Sequence, residues 1–260
     1  MHADENERAN GAMQDGCITV GGTHAAWLMS AAQMSAVSLR TNIAAPATAP
    51  WPQPMNPYDR YVLPRLIDTA MRAPAIAEIR ARVIPQAFGT VLEVGMGSAL
   101  NLRYYSDRVQ TVIGVEPAPE LARLAAERAR AGHVHVDIRE QSGELLPLPD
   151  ASVDSAVFTW TLCSIPDVYS ALREAFRVLK PGGLLLFAEH GLSSDRSVQA
   201  WQFRVQPLWK CLTGGCHLTR ATDRLLIDAG FAIDSLEKGY IAGPRIATFM
   251  YEGRARKPAN

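Results

Sequence analysis

Val91 to Asn101 reads VLEVGMGSALN, and the fold turns on this stretch. Thr90 to Val94 is a short apolar, β-branched run that empties into glycines at 95 and 97, the pattern of a buried strand delivered into a tight turn. Working outward, the segments alternate. Upstream, Tyr61 to Met71 and Ala75 to Ile84 carry apolar residues at helical spacing, with Pro74 placed as a first-turn proline. Downstream, Val109 to Val115 is a second strand and Ala118 to Ala131 a helix. Val134 to Ile138 and Val153 to Phe158 are two more strands. Val168 to Lys180 reads as a helix stopped by PGG, and Leu184 to Ala188 as a strand apolar on both faces. Val198 to Leu212 and Thr219 to Ala229 are helical, with Thr219 placed as an N-cap, and Phe231 to Lys238 and Arg245 to Gly253 close the chain as strands. Strands alternating with helices predict an α/β fold: a doubly wound parallel sheet, helices on both faces, and an antiparallel C-terminal hairpin.

Composition narrows the function. The chain has 260 residues, 48% apolar and 20% charged, enough for a full core. Lys plus Arg equals Asp plus Glu at 26 each, which argues against a nucleic-acid binder working through bulk positive charge. The four cysteines, at 17, 163, 211 and 216, form no CxxC pair, so neither a disulfide scaffold nor a metal site is expected and a reduced, cytoplasmic setting is. Cys211, Cys216 and His217 on one short segment leave a tetrahedral site incomplete and read as structural. No stretch reaches the roughly 20 apolar residues of a membrane span. Ile18 to Leu39 is broken by glycines, His24 and Gln33, and follows an acidic leader rather than a basic one. Residues 1–54, ending in AAPATAPWPQP, read as a disordered leader or an over-predicted start, and 55–260 as the domain.

Between the first strand and first helix, the glycine loop sits where an open α/β sheet binds its ligand. A dinucleotide loop needs a small residue three places after Gly97, and Leu100 stands there; small residues fall at Gly95, Gly97 and Ala99 instead. Glu93, just before the turn, would repel a pyrophosphate but suits a ligand carrying ammonium and sulfonium charges. Glu116, ending the second strand, is placed to accept both ribose hydroxyls. A nicotinamide-dependent oxidoreductase is therefore disfavoured.

With GELLPLPDASVDSAVF and LCSIPDVYSALREAFRVLKPGGLLLFAEH following the loop, the chain from about Met55 onward resembles the class I S-adenosylmethionine-dependent methyltransferases of the methyltransferase type 11 branch. The resemblance implies a seven-stranded Rossmann-like methyltransferase sheet and S-adenosylmethionine as cofactor. It implies a cradle for the methionine end at Glu93, Gly95, Met96, Gly97 and Asn101, and a ribose site at Glu116 with Pro117. Ser142, Gly143 and Glu144 would lie beside the adenine, and Thr159, Trp160 and Ser164 would close the pocket. Two positions depart from the pattern, Ala99 for a third glycine and Ser142 where many relatives place Asp, and Ser142 weakens one adenine contact.

The last third, AEHGL and WQFRVQPLWKCLTGGCHLTRATDRLLIDAGF, is similar to the thiol methyltransferase-like subgroup, which implies a small thiol as methyl acceptor. His190 and His217 are the candidates for a proton acceptor or thiolate partner; a histidine bonded to backbone at an element end is the plainer reading of each. Lipid-amine N-methylation, quinone-type C-methylation and cofactor binding without turnover stay open. Among partners, a small-molecule acceptor and, at most, peripheral membrane contact are expected, with no nucleic acid.

Overall fold

The computed structural model describes residues 57–259. The expected leader, the Met55 start and the Ile18 to Leu39 segment lie outside them. After a π-type turn at Tyr58–Val62 come α1 (Leu63–Ala70) and α2 (Pro74–Val83), then β1 (Gly89–Val94), β2 (Val109–Val115), α3 (Pro119–Arg130), β3 (His135–Arg139) and β4 (Val153–Thr159). The chain continues through α4 (Val168–Val178), β5 (Leu179–His190), α5 (Arg196–Leu212), α6 (Thr222–Asp228), β6 (Ala232–Tyr240) and β7 (Phe249–Arg256).

All seven strands join one sheet in the order β3-β2-β1-β4-β5-β7-β6. The first five pair in parallel, whereas β7 pairs antiparallel with both β5 and β6. The strand order reverses between β1 and β4, which puts the ligand crevice at their carboxyl ends.

Two-residue alternation builds both faces of this sheet. Leu92, Val94, Ala156, Phe158, Leu185 and Phe187 enter one apolar cluster together with α4. Val91, Val157, Leu184, Leu186 and Ala188 enter the other, with Ile79 and Val83 of α2. Burying one such leucine or phenylalanine contributes roughly 1.5–3 kcal/mol, so a slip of one residue in β4 or β5 would forfeit several of them. By the same alternation Glu93 shares the face of Val91, and His190 that of Leu186 and Ala188.

Two boundaries differ from the sequence expectation. The PGG run does not end a helix but lies inside β5: α4 stops at Val178, and Gly182 (φ +74°) and Gly183 exchange backbone bonds with Lys257. Thr219 caps nothing, since α6 begins at Thr222 with Ala221 at its cap. Among the described residues no helix is long and apolar enough to cross a membrane.

Candidate active site

Three left-handed residues in alternation shape the loop after β1: Gly95 (φ +66°), Gly97 (+58°) and Ala99 (+62°). The two glycines are required for different reasons. A Cβ on Gly95 would stand 2.3 Å from the Thr161 methyl group, so the backbone approaches that side chain too closely for any other residue. A Cβ on Gly97 would meet nothing within 4 Å among the described residues. The loop therefore leaves room at Gly97 and none at Gly95. Its backbone is pinned by Gly95 and Met96 N–H bonds to Val115 O (2.8 and 3.0 Å) and by Gly97 N–H to the Glu116 carboxylate (2.8 Å). From above, Ser98 Oγ donates to Asp68 of α1, and Arg128 of α3 bridges Asp68 (2.9 Å) and the Ser98 carbonyl.

Glu93 is 1% exposed and sits in a closed polar network. One carboxylate oxygen accepts from Asn101 Nδ2 (2.8 Å), the other from the Tyr105 hydroxyl (2.6 Å). Asn101 also donates to Thr159 Oγ1 (2.9 Å) and accepts from Arg80 Nε (2.8 Å). Arg80 lies over the Trp160 ring at 4.9 Å, and Trp160 is held in the left-handed region (φ +53°). Burial pushes Glu93 up to about 7 in spite of Tyr105, Asn101 and the Arg80 charge, and lowers Arg80 to about 10.

These contacts change the expectation for several residues. Asn101 ties Glu93 to Thr159, so the three brace the loop, with one bond accepted on each Glu93 oxygen. Met96 turns its side chain into the core against Gly114, leaving only its backbone to the loop. Ser164 stands beside Cys163 (3.4 Å), on the cysteine side of the site.

At the end of β2, burial raises Glu116 to about 6. Its oxygens accept from Gly97 N–H and Ala118 N–H (2.9 Å), one bond each, and a carboxylate retains further lone pairs for a diol. Pro117 follows it at the start of the turn into α3. Ser142 Oγ contacts Glu144 (3.1 Å), Glu144 accepts from Asp167 N–H (2.7 Å), and Gly143 approaches Val94 so closely that a Cβ would lie 2.4 Å from its methyl group. The segment thus packs against the last residue of β1, on the carboxyl edge.

Along the same edge lies a second constellation, after β4 and β5. Glu189, fully buried, accepts Thr161 and Leu162 N–H on one oxygen (2.8 and 3.0 Å), and its other oxygen has no partner. Burial raises its carboxyl to about 7. His190 Nε2 is 3.0 Å from Cys216 Sγ. Burial disfavours the imidazolium, but the Cys216 contact and Glu189 outweigh it and raise His190. Contact with Cys163 and burial push the Cys216 thiol up. His217 Nδ1 is 3.1 Å from the Cys163 carbonyl, and burial with the Arg220 charge lowers its pKa. His190 and His217 therefore flank one spot, but His217 faces backbone and His190 faces sulfur. The trio Cys163, His190 and Cys216, with ligand atoms all within 4.8 Å of one another, replaces the single-segment trio weighed from sequence.

Sequence reasoning missed Asp68, Arg80, Tyr105, Cys163 and Glu189. Glu189 alone had a readable signal, an acid at the carboxyl end of a wholly apolar strand. A cavity of about 280 Å³ between α1 and α3, lined among others by Tyr61, Asp68, Glu120 and Arg123, shares no residue with the glycine loop.

The open side of Gly97, next to a buried carboxylate that still has lone pairs, fits an adenosyl group with its ribose at Glu116. Comparison with known proteins bears on the family. The family described as "Methyltransferase domain" matches residues 92–187. A thiol S-methyltransferase, TMT1B of Rattus norvegicus, is 37% identical over 153 residues, 57% of this chain and 62% of that protein. The ubiquinone/menaquinone biosynthesis C-methyltransferase UbiE of Rubrivivax gelatinosus is 39% identical over 122 residues, 46% of this chain and 44% of that protein. The solved structure of a SAM-dependent methyltransferase from Methanosarcina mazei superposes with a TM-score of 0.55 at 24% identity, covering 72% of this chain and 99% of that one. The chain spans less than two thirds of the length of these sequence relatives. Residues 92–187 are thus similar to a methyltransferase domain, and the sheet has the fold of the solved methyltransferase structure.

Proposed function

We propose that this chain is a class I, S-adenosylmethionine-dependent methyltransferase that methylates a small thiol on sulfur. The cofactor reading rests on one observation above others, the buried Glu116 carboxylate beside the open face of Gly97. Glu116 would take the ribose hydroxyls, Ser142 to Glu144 would lie along the adenine, and Gly95 to Gly97 would receive the methionine end. Glu93, Asn101 and Arg80 hold that loop from beneath. S-adenosylmethionine, when bound, supplies an electrophilic methyl group on a sulfonium.

The acceptor side would lie at the ends of β4 and β5, near His190, His217 and Trp160. The likeness to a thiol S-methyltransferase supports sulfur as the acceptor. An amine acceptor would call for an aromatic or carboxylate cage, yet the Trp160 face is already covered by Arg80. A thiol with a pKa of about 8.5 is a few per cent thiolate at neutral pH. The protein's main tasks are then alignment and exclusion of water. The likeness to a quinone-pathway C-methyltransferase supports a second reading, methylation of a ring carbon.

The test is mass-spectrometric detection of product from the full chain with S-adenosylmethionine, a panel of alkyl thiols and, in parallel, a quinol precursor and an ethanolamine lipid. Thioether formation lost in Glu116→Ala supports the thiol reading. Product from the quinol or lipid alone overturns it while keeping methyl transfer. Cofactor binding without any product would point to a binding protein.

A further inference from the structure

We propose that Cys163, His190 and Cys216 form a three-ligand site for a zinc-type divalent cation whose fourth position receives the acceptor thiolate. The inference rests on the thiol reading above for that fourth ligand, but not for the metal.

Three separate elements deliver the ligands: the turn after β4 (Cys163), the last residue of β5 (His190), and the connection from α5 to α6 (Cys216). Their ligand atoms already lie within 4.8 Å of one another, with His190 Nε2 3.0 Å from Cys216 Sγ. Tetrahedral zinc, with Zn–S near 2.3 Å and Zn–N near 2.0–2.1 Å, separates its ligand atoms by about 3.5–3.8 Å. Shifts of about 1 Å therefore close the site around an ion. Two sulfurs and an imidazole select zinc over magnesium or calcium, which take oxygen ligands. Three protein ligands rather than four is the arrangement that leaves a coordination place for a reactant.

The surroundings hold these ligands in place. Cys163 and Cys216 are both buried, at 3% and 6% exposure, and neither is in a disulfide. His217 N–H donates to Cys163 O (2.7 Å), and Gln206 Nε2 donates to Cys216 O (3.2 Å). Glu189 fixes the two amides just before Cys163. Trp209 Nε1–H donates to Cys216 Sγ (3.3 Å), a bond that stabilises a thiolate. Arg220, anchored on the Leu162 and Ile165 carbonyls, stands within electrostatic reach of both sulfurs. Sequence spacing concealed the trio, because two of its members are 26 residues apart and come from different elements.

In the reaction, the acceptor sulfur becomes the fourth ligand and its proton leaves to solvent. The thiolate pair then forms the new S–CH₃ bond as the sulfonium C–S bond breaks, its electrons returning to the leaving sulfur. The product thioether is neutral and a weaker ligand, so the next thiol displaces it.

The full chain is stripped with a chelator and titrated with Co²⁺, then read by metal content and absorbance. One ion per chain is expected, with tetrahedral visible bands and a near-ultraviolet thiolate-to-cobalt band. Cys163→Ser and Cys216→Ser are each expected to lower cobalt affinity at least about tenfold. Unchanged S-adenosylhomocysteine affinity in these variants shows that the fold is intact. Ethanethiol should strengthen the charge-transfer band. Folded, cofactor-competent protein that takes up no stoichiometric metal, or that holds it equally well in both variants, overturns the site. So does a Cys163–Cys216 disulfide in the active enzyme. A cobalt spectrum indifferent to ethanethiol overturns the acceptor's place on the ion. The expected cobalt spectrum in a protein that methylates no thiol would leave the metal site standing and defeat the thiol reading instead.

Discussion

Glu93 and Glu116 end neighbouring strands and are equally hidden from water, yet their positions set different tasks. Glu93 accepts from the Asn101 and Tyr105 side chains and Glu116 from two backbone amides, one bond per oxygen in each, and what separates them is place, since Glu116 stands beside the open face of Gly97. Hydrogen bonds to a charged group contribute about 1.5–3 kcal/mol, so Glu116→Ala is expected to weaken S-adenosylhomocysteine binding by that amount in titration calorimetry. The pH dependence follows from the same group. Ribose hydroxyls donate to the ionised carboxylate, and in the free protein that carboxyl titrates at about 6. Affinity should therefore be full above about pH 6 and fall by up to about tenfold per unit below it. Glu116→Gln should bind more weakly with a flatter profile between about pH 5 and 7; a profile as steep as that of the native protein would assign the titration to another group.

At the scale of the element, the β1 turn separates folding from binding. Gly95→Ala meets Thr161 at 2.3 Å in a left-handed backbone, so both overlap and strain oppose it. A loss of about 2–3 kcal/mol is expected in urea denaturation. Gly97→Ala has the strain without the overlap and should cost about 1 kcal/mol of stability. Its methyl group projects into the space assigned to the ligand, so affinity should fall about tenfold or more, a steric cost of at least about 1.4 kcal/mol. Equal affinity losses relative to stability in the two variants would contradict the division. This turn was legible in the sequence because strand, glycines and following acid lie within one contiguous stretch, and the parallel sheet with its antiparallel C-terminal hairpin followed from the alternation of elements. PGG misled, since a glycine pair that usually ends a helix here sits inside a strand paired with the chain's end. The network of Arg80, Asn101, Glu93 and Tyr105, and the cluster of Cys163, His190 and Cys216, were not legible. Each joins side chains from separate elements that no local period brings together, and an arginine at helical spacing reads as a solvated face until its partner is seen.

Across the whole molecule, the buried acids make stability depend on pH in a direction opposite to most carboxylates. Asp154, Asp167 and Glu174 are held below the ordinary range, so their stabilisation is lost as pH falls through their folded values. Desolvation raises Asp68, but its Ser98, Arg128 and Arg72 partners outweigh this and lower it, adding to the same arm. Glu93, Glu116 and Glu189 run the other way, with folded values of about 7, about 6 and about 7 against an ordinary 4.5. Between those values the native state holds protons that the unfolded chain has released, so stability declines as pH rises through them. For Glu93 the shift corresponds to roughly 3 kcal/mol, with only Arg80 among charged groups offsetting it. The ligand-free protein should thus have its highest urea midpoint at about pH 4–5 and lose stability progressively up to about pH 7. Glu93→Gln should lower the midpoint throughout, because it disturbs the Asn101 and Tyr105 bonds, but should flatten the decline between about pH 4.5 and 7. The slope is the discriminating quantity, since a merely structural defect moves the level and leaves the slope alone. A native midpoint that rises from about pH 5 to 7 would mean that Glu93 is ionised in the fold, with Arg80 as its full counter-charge, and the network would then be an ion pair rather than a neutral brace.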